Sequence, residues 1–209
     1  MTIGRKITLL TAALAATATL VTGCDVLRDN EKPTTQQETD EAARRLQQRP
    51  SLEEAEAQLQ QVMEQIAAAG TELVPAVRFE WVDDRSMPDC DAPYDRTYGR
   101  KVFMRKLWAQ GQPYPEAEWP AFLAKAKELA ATVGATWSQQ IREEPSGTTG
   151  PAPSNDPAAP EYGRHDINFV NPDNGTTVRI MTNKATVITA TLGCHLPKDR
   201  LDDPIKPTR

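Results

Sequence analysis

The chain has 209 residues, a formal charge of −5 and 25% charged residues. An acidic balance argues against nucleic acid or anionic lipid as electrostatic partners, because both are bound through Lys and Arg that neutralise phosphate. The length suits one domain with tails.

The N-terminus carries Arg5 and Lys6, then an uncharged run from Ile7 to Val21, then Thr22, Gly23 and Cys24. This is the anatomy of an export signal, and an apolar run of about 15 residues falls short of the roughly 20 that a permanent membrane helix needs. Val21-Thr22-Gly23-Cys24 reads as a lipobox. In that reading the Cys24 thiol takes a diacylglyceryl group, residues 1–23 are cut away, and Cys24 becomes the first mature residue. Two or more acyl chains, at about 0.8 kcal/mol per buried CH₂, make release from the membrane slow. Loss of Arg5 and Lys6 moves the formal charge from −5 to −7. The expected location is the cell membrane, lipid-anchored and facing the extracytoplasmic side.

Residues 24–50 read as a polar lipidated tether with a short helix over Glu38 to Gln48. Residues 51–197 read as a single domain, and 198–209 as a polar tail. Ser51 and Glu54 form a capping box ahead of Leu52, Ala55, Leu59, Val62, Met63 and Ile66, whose spacing predicts an amphipathic helix with Gly70 as its stop. Ala76 to Val82 alternates Val77, Phe79 and Trp81 against polar neighbours, as a half-buried strand does. Asp83 to Asp95 is a loop carrying Cys90, and Val102 to Trp108 favours a strand. After Pro113 and Pro115, Trp119, Phe122, Leu123, Ala126, Leu129, Ala130 and Val133 predict a second helix stopped by Gly134. Thr136 to Arg142 predicts a strand. The stretch 144–160, rich in Pro, Ser, Gly and Thr, predicts an internal loop. His165 to Val170, Thr176 to Thr182 and Ala185 to Leu192 predict a closely spaced antiparallel meander. The expected fold is α+β: a two-layer sandwich in which an antiparallel sheet carries two amphipathic helices on one face.

Lipidation of Cys24 leaves Cys90 and Cys194, an even pair in a chain destined for an oxidising compartment. They are expected to form one intramolecular bridge. The competing reading, a thiolate metal site, lacks a C-x-x-C or a second His at ligand spacing.

Several segments together resemble one family: the lipobox, the Trp-bearing helix ending in Gly134, His165-Asp166-Ile167-Asn168-Phe169, Asp173-Asn174-Gly175-Thr176-Thr177-Val178, and the closing Thr191-Leu192-Gly193-Cys194. Over roughly Ser51 to Leu196 the chain resembles the LppA-type lipoproteins of mycobacteria and their actinobacterial relatives. The resemblance implies a surface lipoprotein with a disulfide near its last strand. It carries over no catalytic residue.

Candidate chemistry is sparse. Asp83, Asp84, Asp89, Asp91 and Asp95 offer oxygens suited to Ca²⁺, but they lack the glycine and terminal glutamate of an EF-hand loop, and a solvated loop is favoured. His165 and His195 would need Asp166 or a loop carboxylate to complete a zinc site, so they read as ordinary surface histidines. Trp81, Trp108, Trp119 and Trp137 could wall a cleft for an acyl chain or glycan, although core packing is favoured. G-x-S-x-G, H-E-x-x-H and phosphate-binding glycine loops are missing. No catalytic residue, metal or cofactor is therefore expected. The leading expectation is a non-catalytic envelope module that contacts another envelope protein or a cell-wall component. The alternative is a lipid or glycolipid carrier with an apolar cleft between helices and sheet, and an enzyme without a recognisable motif ranks third. Cys24→Ser should abolish lipidation, seen as loss of partitioning into the detergent phase on Triton X-114 separation.

Overall fold

The computed structural model describes residues 34–141 and 165–207. The export signal, Cys24 and the loop 144–160 lie outside the described residues.

Helix α1, Gln36–Gln47, begins where Thr35 accepts from the Glu38 amide and the Glu38 carboxylate returns to the Thr35 amide. This capping box starts the helix two residues before the expected Glu38. Helix α2, Leu52–Leu73, is opened by the Ser51–Glu54 box. It does not stop at Gly70. That glycine is instead a contact point, because a Cβ there would lie 3.0 Å from Phe122 and 3.2 Å from Phe79. Helix α3, Trp119–Ala131, gives way to Gly134, whose φ of +76° is the left-handed turn that glycine adopts without strain.

The strands are β1 (Glu80–Val82), β2 (Arg100–Phe103), β3 (Lys106–Ala109), β4 (Trp137–Gln140), β5 (His165–Val170), β6 (Thr177–Thr182) and β7 (Thr186–His195). They form one antiparallel sheet in the order β1-β3-β7-β6-β5-β4, with β2 also paired to β7. The expected meander is β5-β6-β7. The strand expected over Ala76 to Val82 shortens to β1 because its first backbone groups are spent elsewhere. The Val77 amide and carbonyl bond Val74 and the Thr71 hydroxyl, and the Arg78 amide donates to Gln112. The one strand favoured over Val102 to Trp108 splits into β2 and β3, which lie end to end along β7, β3 opposite Thr186 to Ile188 and β2 opposite Thr191 to His195.

Helices α2 and α3 cover one sheet face, giving the α+β two-layer sandwich. Leu59, Met63 and Ile66 of α2, Phe122 of α3, and Phe169, Ile180 and Ile188 of the sheet are fully buried between the layers. Each such side chain contributes about 1.5–3 kcal/mol by leaving water.

A smaller core gathers at the other end of β7. Cys90 and Cys194 are joined, with Cα atoms 5.9 Å apart, and Leu46 of α1 and Leu196 pack on them. Cys90 does not reach Cys194 by a direct pairing of β1 with β7, since β3 separates those two strands. The chain from Ser86 to Asp89 instead runs beside β2, bridging Phe103 and Arg100, and β2 lies on β7. Gly99 passes over the bridge, where a Cβ would fall 2.5 Å from Cys194 Sγ. The segment expected as a polar tail returns to the same end, with Ile205 bridging Thr97 and the Arg200 guanidinium 4.2 Å above the Tyr98 ring. The bridge closes a sequence separation of 104 residues. Cys90→Ala with Cys194→Ala should therefore lower unfolding stability by about 2–5 kcal/mol, measured by urea denaturation against the unreduced wild type.

Candidate functional site

Between Val102↔Leu192 and Arg100↔His195 the register shifts, so β7 spends one residue more than β2. This bulge at Gly193 and Cys194 reverses the phase of the strand. His195 therefore lies on the helix side with Leu192, where unbroken alternation would have turned it outward. The reading of His195 as a surface histidine is corrected: it is 2% exposed. Its Nδ1 lies 2.9 Å from the Pro50 carbonyl, and its Nε2 is buried with no hydrogen-bond partner. A carbonyl only accepts, so the proton sits on Nδ1 and Nε2 presents a bare lone pair. Burial holds the imidazole below its ordinary pKa; the Pro50 hydrogen bond works against this, and the Arg49 charge works with it.

Arg49 ties the corner together. Its guanidinium donates to the Cys194 carbonyl at 2.8 Å, the Asp173 carbonyl at 3.0 Å and the Tyr94 hydroxyl at 3.2 Å. Beside it lies a cleft of about 210 Å³ between α2, the end of α3, the β5–β6 turn and β7, with His195 in its wall.

The other sequence candidates do not converge. His165 stacks on Trp119 with centroids 4.4 Å apart, and its Nε2 lies 2.8 Å from Glu116. It pairs with Thr182, at the end of the sheet opposite His195. Nine residues of β7 separate those ends, about 30 Å. Asp166 faces the other side of β5 and holds Arg179, with Nε 2.7 Å from Oδ1. In the acidic loop, Asp83 pairs with Lys106, Asp89 with Arg100 and Lys206, and Asp91 with Lys101, while Asp95 accepts from the Thr34 hydroxyl. Among the described residues no group of three His, Cys, Asp or Glu could hold a metal ion.

The tryptophans divide. Trp119 is buried in the core and Trp81 is half-buried against it. Core packing fails for the other two, since Trp108 is 36% and Trp137 is 54% exposed. Their registers explain this. Trp108 pairs with Val187 and Trp137 with Val170, both on the sheet face that α2 and α3 leave uncovered. Phe103, 48% exposed, joins them through its pairing with Thr191. Thr177, Thr189, Arg179, Met181 and Asn168 occupy the half-buried centre of that face.

The fold defines an α+β two-layer sandwich domain, with one antiparallel sheet covered on one face by α2 and α3. Residues 27–198 match the family model of LppA, described as a lipoprotein confined to pathogenic Mycobacterium. The chain belongs to the LppA lipoprotein family, which implies a membrane-anchored envelope protein. A crystal structure of LppA from Mycobacterium tuberculosis is similar at a TM-score of 0.59 and 17% identity, covering 83% of this chain and 94% of that one. A DUF4853 family protein from Actinomyces odontolyticus is 13% identical over 77% of this chain and 79% of its own, with a TM-score of 0.44. The comparison with curated proteins found no match. At 17% identity the M. tuberculosis likeness shows the fold alone.

The depressed His195 pKa sets a pH dependence. The unfolded chain binds this proton near its ordinary pKa of about 6.5, above the folded value, so the contribution is whole above that pH and declines as pH falls through the folded value. His195→Gln should flatten this part of the profile relative to wild type, measured by thermal unfolding between about pH 8 and about pH 5.

Proposed function

We propose that this chain is a non-catalytic lipoprotein, held by lipid on Cys24 at the outer face of the cytoplasmic membrane, that binds another envelope protein through its helix-free sheet face. The observation that carries the reading is the set of exposed aromatics, Phe103, Trp108 and Trp137, on the side away from α2 and α3. Large aromatic side chains left in water on one surface are costly unless a partner covers them, and Trp, Phe, Met and Arg are the residues enriched where proteins meet.

Geometry supports the same surface. Phe103 and Trp137 stand in one cross-strand row through Thr191, Thr177 and Val170. Four strand spacings separate them, about 19 Å, a width that suits a protein surface better than a single acyl chain. The space between helices and sheet, where a carried lipid would sit, is occupied by Leu59, Met63, Ile66, Phe122, Phe169 and Ile180, each buried. That packing favours a partner outside the sandwich over a guest within it.

The test is photo-crosslinking in intact cells from a benzophenone amino acid placed at Trp108, with the same probe at Gln60 on the opposite layer as control. A discrete protein adduct from position 108 alone is expected, and Trp137→Ala should weaken it with an unchanged unfolding midpoint. Equal adducts from both positions would overturn the assignment of the face, and adducts to glycan alone would overturn the class of partner.

A further inference from the structure

We propose that the groove between α2 and the sheet edge at β1 is a binding site for a small organic monoanion, a carboxylate carried on a compact apolar body. The site is independent of the outer face and of the partner assigned to it.

A cavity of about 190 Å³ opens there. Glu56 and Gln60 of α2 form one wall, Trp81 of β1 and Met104 between β2 and β3 add apolar surface, and Arg85 and Arg105 supply two guanidinium groups. The charges in this wall do not cancel. Arg85 Nη1 lies 3.3 Å from the Glu56 carboxylate, so that pair is matched. Arg105 has no acid partner among the described residues, because Asp83 offers it a carbonyl and spends its carboxylate elsewhere. Asp83 takes a left-handed φ of +60°. In that turn its carbonyl accepts from Arg105 Nε at 3.1 Å, while its carboxylate lies 2.7 Å from Lys106 Nζ. Two cations against one carboxylate leave the wall with a single uncompensated positive charge, in a chain whose formal charge is −5.

Arg105 is also held in position without a ligand. Besides the Asp83 carbonyl, its guanidinium carbon lies 5.8 Å from the centre of the Trp81 ring. Its exposed head keeps further N–H donors, in the planar fork that suits a carboxylate. A donor ordered beforehand loses little freedom when it binds.

Size and charge narrow the guest. At about 30 Å³ of liquid per water, about 190 Å³ corresponds to roughly six waters, room for a carboxylate with one ring or a short branched chain and too little for a lipid tail with its headgroup. A phosphate monoester carries close to two negative charges at neutral pH, more than the wall offsets, and Glu56 repels the excess. An uncharged guest leaves the Arg105 charge unanswered. Met104, 8% exposed, and the half-buried Trp81 receive the apolar body.

The experiment uses the full-length lipoprotein in uncharged detergent micelles, with 5-fluorotryptophan at its four tryptophans, followed by ¹⁹F NMR. Trp81→Phe assigns the Trp81 resonance. Benzoate, the uncharged benzamide and phenyl phosphate are titrated separately at constant ionic strength and about pH 8, where the phosphate is a dianion. A saturable shift of Trp81 with benzoate is expected, with the other three resonances unmoved, no saturable shift with benzamide and weaker binding of phenyl phosphate. Arg105→Gln changes an exposed side chain and should weaken benzoate at least about tenfold with an unchanged unfolding midpoint. Glu56→Gln removes the opposing carboxylate and should let phenyl phosphate bind at least as tightly as benzoate. Failure of benzoate to shift Trp81 overturns the proposal, as does an equal response to benzamide. Phenyl phosphate binding more tightly than benzoate to the wild type overturns the monoanion class, and benzoate binding that survives Arg105→Gln overturns the site.

Discussion

A side chain at position 193 would meet the Asn174 carbonyl oxygen at 1.9 Å, so β7 passes beneath the β5–β6 turn only because Gly193 has none. That close approach lets the Gly193 amide reach Thr176 Oγ1 at 3.1 Å and opens the bulge that follows. Within the next three residues the chain contributes the Cys194 sulfur to the bridge, His195 to the Pro50 carbonyl and, just past β7, the Leu196 carbonyl to the Leu52 amide. The junction of α1 and α2, residues Arg49 to Leu52, is therefore pinned to the strand at several points. Removing the bulge would turn His195 to the other face of the strand and part it from the Pro50 carbonyl.

This joint explains why α1 belongs to the packed structure. Leu46 has no place in the main core, yet it is fully buried against the bridge and Leu196. Arg49 completes the seal by donating to the Cys194 and Asp173 carbonyls. The charge-assisted bonds hold backbone rather than a carboxylate, so they lock geometry without depending on the titration of an acid.

The two sheet faces then carry different chemistry. The helix face is filled by aliphatic and aromatic packing, with Tyr114 stacked on Phe122 at 4.3 Å and its hydroxyl donating to the Gly70 carbonyl. Burial raises the Tyr114 pKa to about 12, so that hydroxyl remains a donor at any ordinary pH. The opposite face has no helix layer among the described residues and keeps its aromatic groups at the surface. One antiparallel sheet thus has one side closed by packed helices and one side that α2 and α3 leave uncovered.

Local sequence was enough to place α2, α3 and the β5-β6-β7 meander, because capping boxes, three-and-four spacing and short turns act within a few residues. The same patterns led to the sandwich and to the family. Alternation along Thr136 to Arg142 marked two faces but could not say which one the helices cover. Trp137 was assigned inward, and its pairing with Val170 puts it outside. His195 was hidden for a related reason. Period-two counting assumes an unbroken strand, whereas the bulge depends on Asn174 crossing Gly193, a contact between segments nearly twenty residues apart. The division of Val102 to Trp108 into two strands likewise required the full length of β7 as template. What the sequence by itself determined was α2, α3 and the β5-β6-β7 meander, the expectation of export and the family. Which face stays open and where His195 points were decided by tertiary structure alone, because both depend on register between distant strands, which no local pattern encodes.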